Sequence, residues 1–435
     1  MAWDFSTEPE FQEQLDWMDE FVRTEIEPLD LLWGDWVFHP LDEQRRKVVD
    51  PLKVEVRRRG LWACHLGPEL GGEGYGQVKL SLMNEILGRS RWAPVVFGCQ
   101  APDTGNAEII AHYGTAEQKA RYLQPLLDGE IFSSYSMTEP QGGSDPTRFT
   151  TRARRDGEQW VIDGWKFFSS NARTSSFLIV MAVTDPEVSA YQGMSMFLVP
   201  TDTEGVEIVR NIGLMHEPLS GDHGMHALVH YDQVRVPAES LLGGEGQAFA
   251  IAQTRLGGGR IHHAMRTVGM CRRALDMMCE RALSREAHGG LLADKQLVQS
   301  YIADSYAQLT QFRLFVMYVA WEIDRYHDYR RVRHDIAAVK ILTPQVLHDI
   351  VQRSIQVHGA LGVSNEMPLG HFWMTVPVMA LVDGPTEVHK VTVARQVLKA
   401  HQPSPDPWPT EHLPTRITAA RERFASFLED EVADL

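Results

Sequence analysis

The sequence predicts a helical N-terminal domain, a central β domain and a C-terminal helical bundle. Three observations carry this expectation. Apolar residues recur at helical spacing from Phe11 to Leu126. That period disappears between about Phe132 and Leu242, where short runs of β-branched, aromatic and aliphatic residues are punctuated by turns. Long helical stretches return from Phe249. The 435 residues are too many for one small core and suit two or three domains. The expected divisions are 1–131, 132–245 and 246–400, with a C-terminal extension over 401–435.

In the first part, FQEQLDWMDEFVRTEIEPL sets Phe11, Leu15, Met18 and Val22 on one helical side. VVDPLKVEVRRRGLW is a second helical segment, GPELGGEGYGQ a turn-rich connector, and VKLSLMNEILGRS restores the helical period. NAEIIAHYGTAEQKARYLQPLLDGE reads as two short helices, the second opened by a capping box of Thr115 and Gln118. Six strand-like segments follow: IFSSYSM, WVIDGWKFFSS, SFLIVMAVT, MSMFLVP, VEIVRNIG and HALVHYDQVRVP. The last part holds four helical stretches, ending with TEVHKVTVARQVLKA, whose apolar faces suit a bundle. Five prolines between His401 and Arg416 predict a loop wrapping over the body, and ITAARERFASFLEDEVADL a final helix. No internal repeat stands out.

Hydrophobic residues at 43% and charged residues at 23% describe an ordinary globular protein. The formal charge of −16 argues against general nucleic-acid binding, which needs a basic surface, while leaving room for a local arginine cluster around a phosphorylated cofactor. Cys64, Cys99, Cys271 and Cys279 form no CxxC pair and no zinc-ligand spacing, so reduced thiols are expected. The acidic, amphipathic N-terminus is unlike a signal peptide, and no apolar run is long enough for a membrane span. A cytoplasmic protein without membrane insertion is the expectation.

The segment YSMTEPQGGSD (Tyr135 to Asp145) ends in small residues that let backbone approach a ligand closely. By itself it also reads as an ordinary strand and turn. It lacks the strand–GxGxxG–helix setting of a dinucleotide site, and GGEGYG at Gly71 to Gly76 fails that test and lacks the end of a phosphate-binding P-loop.

YSMTEPQGGSD, DGWKFFSSNA, RIHHAMRTVG, QVHGALG and VDGPTEVH occur in an order and at separations that resemble the acyl-CoA dehydrogenase family, in the branch related to human members ten and eleven. The resemblance covers roughly Phe11 to Ala400. It implies an acyl-CoA dehydrogenase-like fold, with an N-terminal α-helical domain, a central β domain and a C-terminal four-helix bundle. It also implies FAD between domains, dimers or tetramers with two subunits forming each cofactor site, and an acyl-CoA substrate.

By that resemblance, Tyr135, Met137 and Thr138 line the isoalloxazine ring, with Thr138 offering a hydroxyl. Phe168 replaces a common tryptophan, keeping an aromatic face but losing the indole N–H, and Ser170 takes a usual threonine position. Arg285 resembles an arginine on the FAD diphosphate, a role that suits a guanidinium; the bland reading is a solvated arginine on a helix. Gln356 is a cofactor contact across a subunit interface, and Gly359 and Gly362 permit close packing. Ser144 resembles a coenzyme A contact, and Arg260 steadies substrate or the catalytic loop.

Asp383, in VDGPTEVH, stands where the family usually has the glutamate that removes the substrate α proton. It is one methylene shorter. Read alone, an aspartate there would more simply cap the next helix. Another family arrangement takes the base from the residue before the arginine of RIHH, but that position is Gly259 here, which supplies no carboxylate. His262 and His263 lack an HExxH pattern and read as structural, and His358 and His389 as indirect influences at most. The implied reaction is α,β-dehydrogenation of an acyl-CoA to trans-2-enoyl-CoA, with an electron-transfer flavoprotein as partner. An oxidase using oxygen directly, and a catalytically weakened acyl-CoA-binding flavoprotein, are the alternatives.

Overall fold

The computed structural model describes residues 6–34, 37, 39, 41–70, 72–215 and 225–427. The chain divides into two compact units, 1–390 and 391–435. The first helices of the larger unit are α1 (Pro9–Phe21), α2 (Glu27–Trp33), α3 (Glu43–Arg58), α4 (Gly76–Leu87), α5 (Ala93–Val96), α6 (Asp103–Tyr113), α7 (Ala116–Gln118) and α8 (Gln124–Leu127). Phe11, Leu15, Met18 and Val22 are all buried, as their spacing requires. Widened π turns at Val22–Ile26 and Lys119–Leu123 join α1 to α2 and α7 to α8. Each lies just before a proline, Pro28 or Pro125, which lacks an N–H and crowds the preceding turn. Thr115 and Gln118 form the expected capping box at α7.

The central sheet contains β1 (Ser133–Ser136), β2 (Arg152–Asp156), β3 (Gln159–Lys166), β4 (Phe177–Val183), β5 (Met194–Pro200), β6 (Val206–Ile212), β7 (His226–Pro237) and β8 (Leu241–Leu242). Its order is β6-β7-β3-β2-β4-β5-β8, with β1 parallel to β4. Strand β4 shows why these segments read as unbroken apolar runs. Phe177, Ile179 and Met181 pack against α6 and the helical turns after it, while Leu178, Val180 and Ala182 pack on the opposite face with residues of β7. Strand β2 escapes a hydrophobic reading because four of its five residues are charged and only Ala153 is buried. Two residues are too few for β8 to show a period.

The remaining helices are α9 (Ala248–Ser284), α10 (Gln296–Tyr326), α11 (Arg333–His358) and α12 (Leu369–Leu381), followed by α13 (Thr386–Lys399) and, in the smaller unit, α14 (Leu413–Arg423). A two-stranded hairpin, β9 (Glu286–Ala287) and β10 (Gly290–Leu291), follows α9. Helix α12 was not legible from its residues: it is apolar around most of its circumference and carries Pro377 inside. Helix α14 starts four residues before the expected segment, with Pro414 accommodated in its first turn. Residues 428–435 of that segment lie outside the described residues.

The N-terminal helices share one core with the bundle, containing Met18, Ile26, Met83 and Trp92 together with Ile261, Met265, Phe312 and Leu347. Two glycines set the spacing where α4 meets α9. A Cβ at Gly88 would run into the Arg266 carbonyl, and one at Gly269 into the Glu85 carbonyl. Arg266 locks the crossing by donating to Asn84 Oδ1 (2.9 Å) and to the Cys99 carbonyl (2.8 Å). Gly269→Ala forces backbone apart and is expected to destabilise the protein by about 1–3 kcal/mol, as overpacking does. A thermal melt checks this, and an unchanged midpoint would show that the crossing tolerates the methyl group.

Candidate active site

Gly257, Gly258 and Gly259 lie consecutively inside the 37-residue helix α9. Glycine in a helix interior costs about 1 kcal/mol relative to alanine, so this run is expensive locally. Each member leaves room for a different side chain. A Cβ at Gly257 would meet the Tyr329 ring at 3.2 Å, one at Gly258 would meet Glu108 Oε2 at 2.6 Å, and one at Gly259 would meet Asp383 Oδ2 at 2.9 Å. Three groups from distant parts of the chain therefore rest on one bare stretch of helix.

Asp383 follows α12 in a left-handed conformation (φ 55°), which aspartate tolerates better than most residues. Gly384, at φ 109°, continues the turn. The guanidinium of Arg260 holds it in place by donating from Nε to the Asp383 carbonyl at 2.9 Å. The carboxylate, 11% exposed, points at α9 rather than along α13. Its Oδ1 lies 4.0 Å from Arg255 Nη1, and its Oδ2 lies 3.5 Å from His263 Nε2. Lys340 on α11 is a further cation near Asp383; it donates to the Met379 carbonyl. Burial pushes the Lys340 amine down to about 8, against the pull of Asp383.

The two adjacent histidines part company. His262 turns toward α4, with Nε2 3.3 Å from Gln77 Oε1. His263 faces Asp383, and burial lowers its imidazole to about 4 despite the opposing carboxylate. The two histidines, read alike from the sequence, thus face different neighbours.

Arg255 joins this cluster to the sheet. Its Nε donates to Asn106 Oδ1 at 2.8 Å, and its guanidinium carbon sits 3.9 Å from the centre of the buried Tyr135 ring. The Tyr135 hydroxyl in turn reaches Met137 Sδ at 3.6 Å. Beside them, burial pushes the Glu108 carboxyl up to about 8, against the hydrogen bond from Tyr329 and the charge of Arg255. It is protonated at neutral pH.

A fully buried ion pair fixes the other wall. Lys166 Nζ donates to Glu139 Oε1 (2.9 Å) and to the Met137 carbonyl (2.8 Å). Glu139 also accepts from the Thr150 and Thr151 amides at 2.7 and 3.0 Å. The Phe167 amide donates to the Thr138 carbonyl at 2.8 Å. The segment after β1 is thereby pinned to the end of β3. Phe168 follows in a left-handed conformation with 41% of its surface exposed, its ring edge-on to Phe167 and His226. The Ser170 hydroxyl pairs with His226 Nδ1 at 2.9 Å.

Of the residues singled out in the sequence, Tyr135, Met137, Arg260 and Asp383 thus belong to one connected cluster. Thr138, Phe168 and Ser170 lie just past the ends of β1 and β3. Ser144, Arg285 and Gln356 are exposed and make no hydrogen bond or ion pair to that cluster among the described residues. Arg255, His263, Glu108, Tyr329, Lys340 and the Lys166–Glu139 pair were missed. The one available signal was a triple glycine inside a strongly helical segment, which marks a close approach. Chemically, a carboxylate resting on bare helix, away from the amides of the next helix, can accept a proton from a ligand placed against it.

Three family models match the chain: the acyl-CoA dehydrogenase N-terminal domain over residues 8–130, the middle domain over 134–226 and the C-terminal domain over 246–398. FadE2 of Mycobacterium tuberculosis is 43% identical over 365 residues, covering 82% of this chain and 88% of that protein. Acyl-CoA dehydrogenase family member 11 of Rattus norvegicus is 40% identical over 365 residues, covering 83% of this chain and 45% of the relative. The chain therefore spans about half the length of that relative. Among solved structures, a glutaryl-CoA dehydrogenase of Mycobacterium smegmatis in complex with FADH2 superposes with a TM-score of 0.76 at 23% identity. The match covers 90% of this chain and 95% of that one, and is a likeness of fold.

Glu108 makes stability pH-dependent. Its folded value of about 8 lies above the ordinary 4.5, so its contribution is fully present below pH 4.5 and is lost as pH rises through 8. The slope across that window is at most about 1.4 kcal/mol per pH unit. Glu108→Gln, uncharged at every pH, is expected to flatten the fall in melting temperature between pH 5 and 8. Parallel wild-type and variant curves would contradict the buried neutral carboxyl.

Proposed function

Since the chain belongs to the acyl-CoA dehydrogenase family, we propose that it removes two hydrogens from the acyl part of a coenzyme A thioester, giving a trans-2-enoyl-CoA. The observation that carries this reading is the Asp383 carboxylate, laid bare against Gly259 beside the Tyr135–Met137 segment.

Asp383 is the base that takes the α proton. A thioester α proton is weakly acidic, so its removal needs donors aimed at the carbonyl oxygen as negative charge develops there. The Asp383 N–H makes no backbone hydrogen bond among the described residues and is one such donor. Arg260 keeps that amide and its carboxylate in one orientation by holding the Asp383 carbonyl. Gly259 supplies the clearance: with a larger residue there, the shorter aspartate would be pushed off the helix.

The residues present fit a flavin. Thr138 keeps a hydroxyl that makes no hydrogen bond among the described residues, and Phe168 offers an exposed aromatic face beside it. Tyr135, Met137, Thr138, Phe168 and Ser170 would line the ring of FAD, and Ser144 would meet the coenzyme A portion. Arg285 and Gln356 are exposed away from this cluster, which fits contacts made to the cofactor of a partner subunit in a homodimer or homotetramer. Bound there, the flavin supplies the acceptor for the β hydride, and an electron-transfer flavoprotein would reoxidise it. No helix among the described residues is long and apolar enough to cross a membrane. The four free thiols fit a reducing cytoplasm.

Asp383→Asn keeps the shape and removes the base. The purified variant is expected to retain FAD absorbance while losing anaerobic flavin bleaching by acyl-CoA, by at least about a hundredfold in rate. Bleaching at the wild-type rate in a single turnover would remove Asp383 from the reaction.

A further inference from the structure

We infer that His263 is a positioning residue for the Asp383 carboxylate, making up through a side-chain clamp for the reach that aspartate lacks. The inference rests on Asp383 being the base. Gly259 and His263 lie four residues apart on α9 and so share one helical face. The first leaves a space that Asp383 Oδ2 enters, and the second sets its Nε2 3.5 Å from that same oxygen. Arg255, one turn earlier on the helix, faces the other oxygen at 4.0 Å. The carboxylate is flanked on both sides, and Arg260 fixes its backbone below. Rotation about the short side chain is the freedom left to it, and His263 restricts that rotation.

The charge state suits the role. The groups facing His263 are Asp383 from the loop after α12, Arg255 and Arg266 from α9, and Lys340 from α11. His262 is its neighbour on the same helix. The cations and burial disfavour an imidazolium, so His263 remains neutral with one N–H. The tautomer with hydrogen on Nε2 would donate to Oδ2 once the two draw together, leaving Oδ1 for the substrate. At 3.5 Å the pair is longer than a formed hydrogen bond, and contacts of this kind tighten when substrate fills a site. A lateral error of about 1 Å in a base costs on the order of a hundredfold in rate.

The test uses FAD-loaded holoenzyme and anaerobic stopped-flow reduction by whichever of butyryl-, octanoyl- or palmitoyl-CoA bleaches the wild-type flavin, from pH 5 to 9. His263→Gln places an amide N–H where Nε2 stood, His263→Asn stops one bond short, and His263→Leu has no donor. Expected is a loss of roughly 10–100-fold in the limiting reduction rate for Leu and Asn, with little change in half-saturation, and recovery by Gln. Losing a donor also raises a carboxylate's proton affinity, so the acid limb of the profile moves to higher pH in Leu and Asn but not in Gln. A role in packing alone predicts no such order and no movement of the limb. Wild-type rates and limb in Leu or Asn, or an equal loss in all three variants with the limb unmoved, would overturn the inference. Should Leu not yield holoenzyme, the contrast of Gln with Asn decides. Asp383→Asn separates the two levels: normal reduction there ends the base assignment itself, whereas a dead Asp383→Asn beside a normal His263→Leu ends only the clamp.

Discussion

The arrangement of the site depends on a stretch of helix α9 that carries no side chains. Three successive glycines weaken that helix by about 3 kcal/mol of intrinsic propensity relative to alanine, and neighbouring packing must supply what they give up. The surrounding turns do so. Ile251, Ile261, Met265, Val268 and Met278 of the same helix are buried in cores shared with the N-terminal helices, the sheet and the bundle. Because the helix is held at both ends, its bare middle can serve as a wall on which Tyr329, Glu108 and Asp383 lie. The close crossing at Gly88 and Gly269 keeps α4 against the same helix further along.

The second constraint is the Lys166–Glu139 pair. Two fully buried charges are costly to desolvate, and such a pair is weak evidence for stability. Its value here is geometric. Lys166 also holds the Met137 carbonyl, and Glu139 also holds the Thr150 and Thr151 amides, so the pair ties the backbone after β1 to the backbone before β2. An apolar pair of equal volume would fill the space without fixing those amides and carbonyls. Arg255 then ties this wall to the helix wall, stacking on Tyr135 and reaching Asp383. Asp383 and the segment after β1 are thereby placed relative to each other by protein contacts alone.

Some of this was legible in the residues. The change from helical to strand-like pattern and back located the layers, since apolar periodicity is a local consequence of which face is buried. The Thr115–Gln118 capping box was visible for the same reason: both partners lie within one turn. Failures occurred where an apolar sequence all round the helix, or charge, erased the pattern. Helix α12 is apolar nearly all round, and β2 is four-fifths charged yet paired on both sides. Asp383 was singled out through family resemblance; its local sequence favoured a helix cap, and the carboxylate points elsewhere.

By itself, then, the sequence determined the succession of layers and the family to which their motifs point. Tertiary structure alone decided which charges surround Asp383. Arg255 meets it across 128 positions of chain and Asn106 across 149, and the two histidines, identical in local setting, are separated only by which way the helix turns each. Spacing along a chain reports what shares a helix face or a strand face. Which face meets which is settled by packing of elements far apart in sequence, and the electrostatics of the site follow from that packing.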